Sequence, residues 1–135
     1  MQRRVLGLDH GTRRVGIAVS DALRITAQPL EVVGRAKAVT RVTEIVGEYG
    51  VGEIVIGLPT SLQGGEGPPA AAARHFGQEV AAATGIDVTY VDERFSTVTA
   101  EKAMLQAGAK RQARRESLDK VAAAIILQAF LDRPS

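Results

Sequence analysis

The hydrophobic positions near the start of this chain form short runs of the length that is typical of β-strands. Apolar-rich runs over residues 3–9 and 14–20 flank the segment His-Gly-Thr-Arg, a pattern that indicates a β-hairpin. A third run, Ile25–Val33, is interrupted by Pro29. Because proline cannot donate a hydrogen bond to a neighbouring strand, we expect this third strand to lie at an edge of the sheet.

Beyond this region, helical and strand-like patterns alternate. Helices are predicted over Ala36–Tyr49, Pro68–Thr84, Ser96 or Thr97 to Ala107, and Leu118–Leu131 with Ser117 as its N-cap. Short buried strands are predicted over Glu53–Leu58 and Ile86–Val91. The order β-β-β-α-β-α-β-α-α describes an α/β protein with a mixed five-stranded sheet flanked by helices. At 135 residues we expect one domain, 1–135.

Composition narrows the class of protein. The chain is 45% hydrophobic, yet no apolar run approaches the ~20 residues of a membrane span. The absence of cysteine excludes disulfides and thiolate metal sites. The basic start runs directly into a strand without an apolar signal region, so we expect no signal peptide and a cytoplasmic protein with no membrane partner.

The net charge of +2 is too small to indicate nucleic-acid binding, but the position of the basic residues is informative. Arginine supplies 13 of the 17 basic side chains, and its planar group matches phosphate oxygens. Two basic clusters lie beside acidic residues and are candidate nucleic-acid contacts: Arg13 and Arg14, and Lys110, Arg111, Arg114 and Arg115. Either cluster could instead be a solvated charged turn.

Three acidic residues stand where predicted elements begin or end. Asp9 closes the first strand, Glu93 follows the fifth, and Asp119 opens the last helix. Ligands of α/β proteins bind at the carboxyl ends of strands, so Asp9 and Glu93 face one crevice if their strands are neighbours. Carboxylates gathered there repel one another unless a hard cation lies between them, which is how proteins hold Mg²⁺ or Mn²⁺ for phosphate chemistry.

Each acid also has an interpretation that requires no chemistry. Asp9 could close an Asx turn. Glu93 could form an ion pair with Arg94. Asp119, in the first turn of its predicted helix, gains ~0.3–1 kcal/mol from the helix dipole alone.

The chain resembles the YqgF/RuvX family in four motifs, whose order and spacing match over nearly its whole length. They are Asp9–Asp21, Ile54–Pro59 with Gly64–Gly67, Asp92–Thr97, and Asp119–Gln128. The resemblance implies an RNase H-like fold and catalytic acids at Asp9, Glu93 and Asp119. The chain departs from the family at Ser61, at Gln63 and at His10, which is a candidate proton carrier or a hydrogen-bonded turn residue.

The resemblance further implies a hydrolase that processes the 5′ end of pre-16S rRNA in ribosome biogenesis or resolves Holliday junctions. Two Mg²⁺ or Mn²⁺ ions on the three acids would then serve in-line phosphodiester hydrolysis. The choice between structured RNA and branched DNA stays open, as does that between monomer and homodimer. One alternative is a non-catalytic nucleic-acid or ribosome-binding module. Another is a one-lobed relative of the actin, Hsp70 and sugar-kinase ATPases, which share Asp-x-Gly-Thr, although the chain lacks their second phosphate loop.

Overall fold

The computed structural model describes residues 3–60, 65–93 and 112–134. The strands are β1 (Arg4–His10), β2 (Arg14–Ser20), β3 (Ala27–Gly34), β4 (Val51–Leu58) and β5 (Val88–Asp92). A 3₁₀ turn, Arg35–Lys37, leads into α1 (Ala38–Tyr49), and the other described helices are α2 (Pro68–Thr84) and α3 (Gln112–Leu131). Both α1 and α2 end at a glycine in the left-handed region, Gly50 with φ of 66° and Gly85 with φ of 73°.

In the described part of the chain, the five strands form one mixed sheet in the order β3-β2-β1-β4-β5. The β1–β2 and β2–β3 pairs are antiparallel, whereas β4 is parallel to both of its neighbours. The predicted hairpin, the five-stranded sheet and the edge position of the strand that contains Pro29 are therefore confirmed. The sheet order also brings the carboxyl ends of β1 and β5 to the same edge, on either side of β4.

Helices cover both faces of the sheet. On one face, α1 and α2 pack through Val42, Ile45 and Phe76 on a core that includes Leu6 and Leu8 of β1. On the other, the apolar side of α3 packs on the intervening strand positions: Val5, Ala18 and Val55 with Ala123, Ile126 and Leu127. This alternation decides the face on which each functional side chain lies, because neighbouring residues of a strand point to opposite faces.

The last helix differs from its prediction. The predicted start at Leu118 and the predicted N-cap at Ser117 are wrong, because α3 already includes Gln112 and therefore residue 117. Asp119 lies about two turns inside the helix rather than in its first turn. Glutamine, alanine, arginine and glutamate at 112–116 favour helix strongly enough to override one capping signal. The helix predicted to end at Ala107 lies outside the described residues.

None of the described helices combines the length and the apolar character needed to cross a membrane.

Candidate active site

Two buried carboxylates lie at the carboxyl edge of the parallel strands. Asp9 is the next-to-last residue of β1 and is 4% exposed, and Glu93 directly follows β5 and is 7% exposed. Leu8 belongs to the core that α1 and α2 cover. Because neighbouring strand residues point to opposite faces, Asp9 lies on the face that α3 covers. Glu93 lies on that face too, because its Oε1 is 2.9 Å from the point where a Cβ on Gly57 would be, a point that Ile126 of α3 also contacts.

Asp119 reaches the same region from α3. Its backbone carbonyl lies against Gly16 of β2 so closely that a Cβ on Gly16 would overlap it. Gly16 is the residue of β2 that pairs directly with Asp9 of β1. The structure therefore brings Asp9 and the Asp119 backbone to adjoining positions above the same two strands.

The side chain of Asp119 is held by an arginine. Arg14 Nε donates to Asp119 Oδ2 over 2.7 Å, and both side chains are 23% exposed. Arg14 is the first residue of β2, two positions before Gly16, and so lies on the same face of the sheet. Arg14, which was predicted to contact nucleic acid, is therefore paired with Asp119.

The site suits a hard divalent cation in its chemistry and position. Carboxylate oxygens are the ligands that Mg²⁺ and Mn²⁺ favour. The missing side chain at Gly57 leaves room for the Glu93 carboxylate beside β4. As arranged, no three Asp, Glu, His or Cys side chains in the described ranges converge closely enough to hold a metal ion. Asp9 and Glu93 each have protein contacts, and Asp119 is paired with Arg14.

Asp92, the neighbour of Glu93, has a different role. Thr60 Oγ1 donates to Asp92 Oδ1 over 2.6 Å, which ties the segment after β4 to the end of β5. The two adjacent acids thus make different contacts, Asp92 with the chain after β4 and Glu93 beside Gly57. No local sequence pattern indicates the Thr60 contact, because 32 residues separate the partners.

His10 lies on the opposite face of the sheet from Asp9. Arg35 Nε donates to His10 Nε2 over 2.9 Å, and the imidazole packs 5.0 Å from the Phe76 ring. Burial, and then the charge of Arg35, hold the pKa of His10 below its usual value, while Glu79 acts in the other direction. His10 is the last residue of β1 and not a turn residue, and the sheet separates it from the acids. His75 is a surface residue of α2.

The remaining candidate contacts are placed only in part. Arg13 is exposed in the turn between β1 and β2, beside the carboxyl end of β1, and its carbonyl accepts a hydrogen bond from the Arg35 amide. Lys110 and Arg111 lie outside the described residues, as do Ser61 and Gln63. Arg114 and Arg115 belong to the first turn of α3, and only their backbone is described.

Gly16 and Gly57 let Asp119 and Glu93 approach the sheet, and neither of these two approaches was predicted. The sequence does contain a signal for both glycines. Glycines inside a strand often mark the close approach of another group, and each lies in a strand run near the predicted crevice.

Known proteins are similar to this chain over nearly its whole length. A family model described as "RuvX: Holliday junction resolvase" matches residues 3–133. A protein of Agathobacter rectalis named "Putative pre-16S rRNA nuclease" is 43% identical over 135 residues, which cover 96% of this chain and 94% of the relative. A protein of the same name from Moorella thermoacetica is 44% identical over 133 residues, with coverage of 96% and 95%.

Solved structures show the same fold. The Thermus thermophilus RuvC structure in complex with a Holliday junction substrate matches with a TM-score of 0.58 and 21% identity, covering 96% of this chain and 94% of that one. A second T. thermophilus RuvC structure gives a TM-score of 0.57 at 20% identity, with coverage of 95% and 93%. The fold is RNase H-like, as the sequence predicted.

Proposed function

This chain belongs to the RuvX family, and we propose that it is an endonuclease that uses divalent cations to hydrolyse phosphodiester bonds of structured nucleic acid. One observation carries the proposal. Two buried carboxylates, Asp9 and Glu93, lie on one face at the carboxyl ends of strands that flank β4, and α3 brings Asp119 against the strand beside Asp9. Carboxylates are the ligands that a hard divalent cation favours, so two of them on one face at this edge, with a third on the helix above, favour a cation site.

In this proposal Asp9, Glu93 and Asp119 hold Mg²⁺ or Mn²⁺. Two such ions, when bound, stabilise charge on the attacking and leaving oxygens of an in-line displacement. The protein contributes rigid placement, because Asp9 is fixed by the β1 ladder and Glu93 by its position directly after β5. The packing of α3 on the sheet closes the apolar side of the site. The exposed Arg13 lies where it can hold a backbone phosphate beside these acids.

The substrate we favour is the precursor of 16S rRNA, because relatives that are 43% and 44% identical carry that name. Such a substrate would place the protein in ribosome biogenesis in the cytoplasm. The family description names the Holliday junction instead. Both substrates are structured nucleic acids, and with only 4% aromatic residues in the chain we expect contacts mainly with the backbone and its shape rather than base stacking.

Cleavage assays with a labelled 16S precursor and a four-way DNA junction, each titrated with Mg²⁺ and Mn²⁺, test the proposal. Asp9→Asn, Glu93→Gln and Asp119→Asn should each abolish cleavage. Asp87→Asn is the matched control, because Asp87 is an exposed acid just before β5, at the far end of that strand. Full activity of Glu93→Gln refutes this site. Nucleic-acid binding without cleavage at any cation concentration supports the non-catalytic module.

A further inference from the structure

Asp119 differs from the other two acids in how it is held. Its side chain is 23% exposed and is paired with Arg14, whereas Asp9 and Glu93 are almost completely buried. It also comes from a helix and not from the end of a strand. Of the three carboxylates, Asp119 is therefore the one that can change partner with the least rearrangement of the sheet.

Arg14 is anchored by its backbone. Residue 14 pairs with Gly34 of β3, and its carbonyl accepts a hydrogen bond from the Gly11 amide over 2.9 Å. A change of partner is therefore confined to the side chain, whose long, flexible stem carries the guanidinium. Because the side chain is partly exposed, it can reach solvent, or a ligand there, without opening the core.

A guanidinium and a divalent cation compete for the Asp119 carboxylate. The Arg14 Nε atom lies 2.7 Å from Asp119 Oδ2, so a cation that binds this oxygen meets the guanidinium. Like charges this close to each other oppose binding. An ion pair of this exposure is weak because solvent screens it, so a cation that binds at the acids can displace Arg14.

We propose that Arg14 and a divalent cation exchange on Asp119. Without the cation, Arg14 holds the carboxylate in place. When a cation binds, the guanidinium is released and contacts a phosphate of the nucleic acid, so that Arg14 couples cation binding to substrate binding. This inference rests on the proposed function, since it requires that Asp119 binds the cation. It makes Arg14 a positioning residue of the cation-free protein and a substrate contact of the loaded one.

The first test measures Mn²⁺ affinity by isothermal titration calorimetry. Arg14→Gln should bind Mn²⁺ about two- to fivefold more tightly than Arg13→Gln, the range expected for removal of a competing ion pair of this exposure. Arg13→Gln is the matched control, because it removes the same charge from the neighbouring residue, and no described contact joins Arg13 to an acid. An equal affinity of the two variants refutes the exchange.

The second test measures binding of a labelled four-way DNA junction and of a 16S precursor fragment by fluorescence anisotropy, in EDTA and in saturating Ca²⁺. Wild type and Arg14→Gln should bind equally in EDTA. In Ca²⁺ the variant should bind more weakly, and its salt slope should be smaller than that of wild type by about 0.7–0.9, the loss of one phosphate contact. A deficit of the same size in both conditions would show a permanent phosphate contact and overturn the inference.

The two tests also separate the inference from the proposed function. If wild type binds no Mn²⁺, the proposed function and the exchange fail together. If wild type binds Mn²⁺ and cleaves, but Arg14→Gln and Arg13→Gln behave alike, the exchange alone is wrong.

Discussion

Replacement of Gly16 by alanine tests how α3 positions Asp119. The added Cβ would overlap the Asp119 carbonyl oxygen and lie 2.5 Å from its carbonyl carbon, whereas carbon atoms in contact prefer about 3.5–4.0 Å. The obstacle is backbone that cannot rotate away, so α3 must retreat by about 1 Å or more. Overpacking of this kind costs about 1–3 kcal/mol, and the lower entropy cost of alanine in a strand offsets about 0.5–1 kcal/mol.

We therefore expect Gly16→Ala to lower the free energy of unfolding by about 1–2 kcal/mol. For a chain of this length that corresponds to a Tm lower by roughly 4–8 °C, measured by circular dichroism in EDTA. Cleavage, compared at a temperature where the variant is fully folded, should also fall, because the displaced helix carries Asp119 away from Asp9.

Gly47→Ala is the matched control. Gly47 is exposed in α1, and nothing lies within 4 Å of the position that its Cβ would take. Alanine there should raise the stability by about 0.5–1 kcal/mol through helix propensity. If Gly16→Ala melts as high as Gly47→Ala, the close approach of α3 to β2 does not constrain the site, and the placement of Asp119 argued above is wrong.

Three further predictions concern charged groups. Asp119→Asn should lower the free energy of unfolding in EDTA by at most about 1 kcal/mol, because it breaks the ion pair with Arg14, whereas saturating Mn²⁺ should raise the Tm of wild type and not of the variant. Because burial lowers the pKa of His10 from 6.5, the unfolded state binds more protons below that pH, so stability should fall as pH decreases through 6.5. His10→Gln should reduce this loss in pH-dependent urea unfolding, and His75→Gln should not. The second basic cluster consists of Lys110, Arg111, Arg114 and Arg115. Neutralising all four should weaken binding of all sequences alike and reduce the salt slope by up to about 0.7–0.9 per lost contact. An unchanged slope would indicate that these side chains are only solvated.

Local sequence patterns predicted much of the fold, because residues such as proline and glycine restrict the backbone at their own positions. Pro29 lacks an amide hydrogen, and its strand lies at the edge. The two prolines and the Thr84-Gly85 pair mark the ends of α2, which runs over Pro68–Thr84 as predicted. The start of α3 was not predicted, because one serine was given more weight than the favourable helix propensity of the five residues 112–116.

The contacts within the site could be predicted only in part. Alternation along β1 already implied that His10 and Asp9 lie on opposite faces, so the alternative that placed His10 near the cations conflicts with the strand period. The ion pair between Arg14 and Asp119 spans 105 residues, and no local pattern indicates it. It also changes an expectation from charge alone: repulsion among three acids predicts that removing one stabilises the cation-free protein, whereas Asp119 already has a cationic partner.

Two glycines and one arginine together explain how a helix can supply a ligand to a site built on strand ends. Gly16 and Gly57 remove side chains that would hold α3 and the Glu93 carboxylate away from the sheet. Such close approach puts acidic groups near one another, which raises their electrostatic energy when no cation is bound. Arg14 reduces that cost at Asp119, which of the three acids is the one that lies on a helix. In the proposed exchange, this contact stabilises the cation-free protein and is given up when a cation binds, so that it links the stability of the fold to its chemistry.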